Sequence, residues 1–276
     1  MLSFEEIKRG FRETINIEKN SRDMIKEALQ YKALDIIAYY PSNPLIFIGG
    51  TCLRFFYGIK RFSEDLDFDI LHGVKYERRE HEALLEMLCK EFRKEGYNVD
   101  FSCTVTSHNV ITGKLTFPGL EYRLKTTNNP NNAVHLKIET QPQGYGYTPE
   151  KKLINKFGAF NTINVMPIDM LLSSKLFTAI ERKKGRDFYD IIELSSITKA
   201  HEGFLKFLFE KKGYRYESPN DIKELILHNI KNIDWKEKVH EVSLFLLDKQ
   251  DIKKVELFPL WVEQTDFNSI VNKEKN

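Results

Sequence analysis

From Asp65 to Ile70 the chain reads Asp-Leu-Asp-Phe-Asp-Ile, acid and apolar residue in strict alternation. Only a β-strand has that period, because successive side chains of a strand point to opposite faces. The pattern therefore predicts one strand, with Leu66, Phe68 and Ile70 toward a core and Asp65, Asp67 and Asp69 on the other face. Three carboxylates in a row repel one another, and an ordinary strand gains nothing from the arrangement. A divalent cation removes the penalty, since Mg²⁺ takes oxygen ligands and keeps substrate phosphates in its shell. Taken alone, the acids also fit the solvated face of an amphipathic edge strand.

The preceding stretch favours the metal. Leu45-Ile46-Phe47-Ile48 is a short apolar run closed by Gly49-Gly50, the pattern of a buried strand ending in a tight turn. Thr51 is placed as the N-cap of a helix carrying Leu53 and Phe56. Glycine lets a backbone approach a phosphate, and a helix N-terminus offers it free N–H groups. Gly49, Gly50 and Thr51 are thus candidate nucleotide contacts, and Arg54 is grouped with them. A phosphate cradle one short helix ahead of a strand of acids resembles the polymerase-β-like nucleotidyltransferase signature. The fuller string, Gly49-Gly50-Thr51 with Arg61-x-Ser63-x-Asp65-Leu66-Asp67-Phe68, resembles the AbiEii/AbiGii abortive-infection toxin family. Ser63 either caps the turn or touches the nucleotide.

Val134-His135-Leu136-Lys137-Ile138-Glu139 repeats the grammar of the acidic strand, with Leu136 and Ile138 inward and His135, Lys137 and Glu139 outward. The resemblance implies a third metal-binding acid on a strand beside the first, which makes Glu139 the candidate; the competing reading is an exposed acid paired with Lys137. Farther on, Lys175, Arg182 and Arg186 fall in a narrow arc of one helix face at about 100° per residue, with Asp190 at its edge and Asp187 farther round. That reading requires Gly185 to leave the helix unbroken. The spacing Lys-x6-Arg-x3-Arg-Asp-x2-Asp resembles the family's third motif. It implies that Lys175 and a downstream aspartate, Asp187 or Asp190, belong to the active site, with Arg182 and Arg186 gripping phosphate.

Composition sets the limits. The 276 residues carry a net charge of +2, so nucleic-acid binding would have to come from local clusters rather than the overall field. The cysteines, Cys52, Cys89 and Cys103, are odd in number and lack zinc spacing, which suits a reducing cytoplasm. No signal peptide and no apolar run long enough for a bilayer is visible, so no membrane role is expected.

The coarse reading places a first short helix with a Ser3–Glu6 capping box, a second opened by Ser21 over about 22–39, a third over 76–95, strands from 97 to about 140, and Lys- and Glu-rich helices after Leu194. The expected fold is α/β (α+β by some conventions): a nucleotidyltransferase-type mixed β-sheet flanked by helices, plus a C-terminal helical bundle. Residues 1–195 are expected to form the nucleotidyltransferase domain, with N-terminal helices over 1–40 and a catalytic core over 41–195, and 196–276 the bundle. The resemblance implies a metal-dependent nucleotidyltransferase that moves a nucleotidyl group from an NTP to an acceptor hydroxyl. Asp65, Asp67 and Glu139 would hold Mg²⁺ or Mn²⁺. It further implies a toxin acting on tRNA, with a cognate antitoxin as partner. A protein or small-molecule acceptor, or a catalytically silent nucleotide-binding module, are the alternatives.

Overall fold

The computed structural model describes residues 1–11, 15–106 and 110–272. Its contacts divide into two compact units, one of Met1–Phe56 with Phe62–Val165, the other of Tyr57–Arg61 with Met166–Asn276. This division falls at 165, ahead of the expected boundary at 195.

The first unit contains helices α1 (Phe4–Arg9), α2 (Ile17–Ala38), α3 (Gly49–Phe56), α4 (Arg78–Lys94) and α5 (Leu120–Arg123). Its strands are β1 (Leu45–Ile48), β2 (Asp65–Ile70), β3 (Asp100–Val105), β4 (Ile111–Pro118), β5 (Ala133–Thr140), β6 (Glu150–Lys156) and β7 (Ala159–Val165). They form one seven-stranded mixed sheet in the order β3-β4-β5-β2-β1-β7-β6. The acidic strand β2 lies inside it, antiparallel to β1 and parallel to β5. Alternation sets the two faces: Leu66, Phe68, Leu115, Phe117, Leu136 and Ile138 are buried, whereas Thr112, Lys114, His135, Lys137 and Glu139 alternate with them on the more open face. Helix α4 covers the buried side with Leu84, Leu85, Leu88 and Phe92, and Phe92 meets Phe117 edge to face at 5.1 Å.

Helix α1 carries the Ser3–Glu6 capping box that its sequence predicts. Helix α2 starts earlier than expected: Asn16 accepts from the Lys19 N–H, so the cap lies ahead of Ser21. The β6–β7 hairpin turns on Phe157 and Gly158, both at positive φ (55° and 82°), and β7 then pairs in parallel with β1.

The second unit is helical: α6 (Ile168–Glu181), α7 (Gly185–Ser195), α8 (Glu202–Lys211), α9 (Pro219–Ile230), α10 (Trp235–Ser243), α11 (Ile252–Glu256) and α12 (Phe258–Gln264), with a small parallel pair β8 (Ala200–His201) and β9 (Val271–Asn272). Residues 57–61 join this unit through the Arg61–Leu246 bridge and the Leu247 N–H to the Lys60 carbonyl. The single helix expected from Lys175 to Asp190 is in fact two. Arg182 is extended (φ −143°, ψ 158°), ending α6, and α7 restarts at Gly185.

Candidate active site

The first group of candidate residues surrounds the bend from β1 into α3. Gly49 has φ +78°, a region costly for residues with a Cβ, and a Cβ there would lie 3.0 Å from both Cβ and Cγ of Asp67. Glycine is needed on both counts. Its absent side chain lets the Asp67 carboxylate lie against the bend at the start of α3. Thr51 is not the N-cap. It sits inside α3, fully buried, and its hydroxyl donates to the Asp65 carbonyl, tying the helix to the start of β2.

Asp65 and Asp67 stand on one face of β2, opposite Lys137 and Glu139 of β5. Burial pushes the pKa of the Asp65 carboxyl up, and nearby Lys137 pulls it back only in part. The Glu139 carboxylate receives the Lys137 ammonium at 2.8 Å and the Thr112 hydroxyl at 2.8 Å. Among the described residues, no three acidic, histidine or cysteine side chains are already gathered as a metal cluster. Asp65 and Asp67 nonetheless offer an all-oxygen donor pair on one face beside the Gly49 bend, which fits Mg²⁺ held by one or two carboxylates and substrate phosphates.

Asp69 departs from the expected row. It is 1% exposed, and its carboxylate accepts from the Ile70 and Gln143 N–H groups, both at 2.7 Å, and from the Tyr147 hydroxyl at 2.9 Å. It fastens the segment after β5 to β2. Arg54 also turns inward: its guanidinium bonds Glu27 of α2 at 3.1 Å and lies over the Phe62 ring. Ser63 contributes its carbonyl to the Gln30 amide.

The second group lies wholly in the helical unit. The Lys175 ammonium is 2.8 Å from Asp187 and 2.8 Å from Asp190, so both aspartates serve it. Arg61 meets Asp190 through two nitrogens, each at 2.7 Å, with its side chain 3% exposed. Arg182 bonds Asp187 at 2.8 Å. Burial works against charge on Lys175, but Asp187 and Asp190 outweigh it and hold its pKa above the ordinary value. The same contacts overcome burial at the carboxylates: Lys175 and Arg182 hold Asp187 well below the usual range, and Arg61 and Lys175 hold Asp190 below it. Arg61, Lys175 and Arg182 thus converge on these two carboxylates. The Arg186 guanidinium lies 4.5 Å from the centre of the Phe245 ring. Sequence reading gave Arg61 no role; its position in the Arg-x-Ser-x-Asp string was the sole hint.

The sheet and helices have the fold of a solved structure, JHP933 from Helicobacter pylori, at 18% identity and TM-score 0.53, covering 89% of this chain and 91% of that one. MenT4, a nucleotidyltransferase toxin from Mycobacterium tuberculosis, aligns at 15% identity and TM-score 0.48 over 98% of this chain and 92% of its own. No curated protein matches the sequence significantly. The family described as "Nucleotidyl transferase AbiEii toxin, Type IV TA system" matches residues 36–262. The match takes in the Gly49 bend, the acidic strand and the Lys175 network together. The chain belongs to this family of toxin nucleotidyltransferases. Among the described residues no helix is long and apolar enough to cross a membrane.

Proposed function

We propose that the protein transfers a nucleotidyl group from an NTP to a hydroxyl of tRNA in the cytoplasm, with release of pyrophosphate, as the toxin of a phage-defence pair whose partner is an antitoxin. The observation that carries the chemistry is Asp67 lying against Gly49, which puts a carboxylate beside backbone N–H groups able to take a phosphate. Family membership supports the toxin role and the nucleotidyl donor.

In this reading the Gly49–Gly50 bend receives the triphosphate, and Asp65 and Asp67 present oxygens on one side of it. Bound Mg²⁺ or Mn²⁺ would neutralise the developing charge on the attacking and leaving oxygens. Glu139, oriented by Thr112 and Lys137, is assigned to the acceptor side. Lys175, held by Asp187 and Asp190, is assigned to charge stabilisation of the triphosphate rather than to covalent catalysis. Arg182 and Arg186 are assigned to phosphate as well.

A labelled-NTP transfer assay on total tRNA tests the proposal. Asp65→Ala and Asp67→Ala are expected to abolish transfer while keeping the wild-type melting temperature, because neither side chain belongs to the core. Near-normal turnover by either variant would refute the site. Label entering protein or small molecules but not tRNA would refute the acceptor.

A further inference from the structure

The open face of the sheet continues past the carboxylates onto β4, and its character changes there. Lys114 of β4 stands directly opposite Lys137 of β5. Like charges at opposed positions destabilise a strand pair. Lys137 is balanced by Glu139, but among the described residues no acidic side chain pairs with Lys114, which is exposed. One step along the same face, His135 bonds the Thr116 hydroxyl at 3.2 Å. Lys26 of α2 lies close enough to act electrostatically on both Asp65 and His135.

We propose that this face, centred on Lys114 with Lys137 and Lys26, holds the sugar–phosphate backbone of the RNA acceptor strand. The inference rests on the acceptor reading given above and adds where the acceptor lies. Sheet order supplies the direction. The phosphate-accepting bend follows β1, the carboxylates sit on β2 and β5, and Lys114 lies beyond them on β4. Donor and acceptor are thereby assigned to opposite sides of one row of acids, the arrangement an in-line displacement requires. Burial lowers the pKa of His135, and the charges of Lys114, Arg22 and Lys26 lower it further, in keeping with positive charge around this patch. A phosphate backbone removes the Lys114–Lys137 penalty as a cation removes that of the aspartates. The hydroxyls of Ser102 and Thr116, at exposed or half-exposed positions beside Lys114, offer neutral contacts to sugar and phosphate.

Binding is measured on the full chain without NTP or divalent metal, so that chemistry plays no part. Fluorescence anisotropy of labelled tRNA is followed from about 50 to 200 mM salt. Lys114→Gln is expected to weaken binding several-fold and to reduce the salt slope by about 1. Lys114→Glu should weaken it further, and Lys90→Gln, on the helix covering the other face, should change neither. Thermal melting checks that each variant is folded. If the wild type binds RNA while both Lys114 variants keep its slope and affinity, this surface is refuted and the acceptor reading stands. A wild type that binds no RNA at any salt refutes both. Capture of an acidic polypeptide in place of RNA, with the same dependence on Lys114, also overturns the assignment.

Discussion

His81 on α4 is a buried imidazole against the sheet, its Nδ1 3.3 Å from the Tyr76 hydroxyl and its Nε2 packed on Gly113. Burial pushes its pKa down to about 4 from an ordinary 6.5. Between those values the unfolded chain binds a proton that the native one refuses, so the native state loses stability as pH falls from about 6.5 to about 4. The full loss is on the order of 3 kcal/mol, at about 1.4 kcal/mol for each pKa unit. Above pH 6.5 the imidazole is neutral in both states and contributes no slope. The depressed carboxylates Asp187 and Asp190 act in a lower window, because their contribution is present above the unfolded value of 3.8 and fades only below it. Urea midpoints at pH 7.5 and pH 5 should therefore separate for the wild type and converge for His81→Gln. An undiminished separation in the variant would assign the slope to other groups.

Elements are arranged here by close approach as much as by pattern. Gly185 begins α7 without a positive φ, yet a Cβ on it would come 3.2 Å from the Lys238 carbonyl carbon of α10 and closer still to its oxygen. Backbone cannot swing aside as a side chain can. Gly185→Ala should therefore push α7 from α10, costing about 1–3 kcal/mol as overpacking does, and a lower denaturation midpoint is the expected result. A wild-type midpoint would mean that the α7–α10 contact has slack. The same crowding explains what sequence could and could not reveal. The β2 strand was legible because a period of two is imposed locally by the backbone, and β5 followed from the same grammar. The division of α6 from α7 was not, since Arg and Lys are good helix formers and a lone Gly is a mild breaker; the chain opens there as Arg182 turns back to Asp187. The β6–β7 hairpin was missed because its turn places a phenylalanine, rather than Asn or Asp, at positive φ ahead of glycine. Asp69 was read as a third outward acid because alternation gives the face a residue occupies and says nothing of the Tyr147 and Gln143 donors that later cover it.

At the scale of the whole molecule, the order of the chain and the order of packing disagree. The second unit is built mainly from residues after 165, but it also takes Tyr57–Arg61 from between α3 and β2. That short piece brings Arg61, whose fork on Asp190 is buried and 129 positions distant in sequence. A C-terminal fragment of residues 166–276 would retain all its helices and lack this one cation. Asp190 would then keep Lys175 alone, shared with Asp187. Removing one partner from a buried ion pair costs about 3–5 kcal/mol, because the remaining charge stays desolvated. Domains are typically stable by only 5–15 kcal/mol, so such a loss takes much of the margin. The fragment is accordingly expected to lack a cooperative thermal transition and near-ultraviolet dichroism. Arg61→Met in the full chain should show the milder form of the same defect, a lowered midpoint for the helical unit. Arg61→Lys should restore little of it, because an ammonium cannot make the two-point contact. A fragment of 166–276 that melts cooperatively near the temperature of the intact protein would show that the Arg61–Asp190 pair is dispensable to the helical unit, and its place would then have to be explained by function alone.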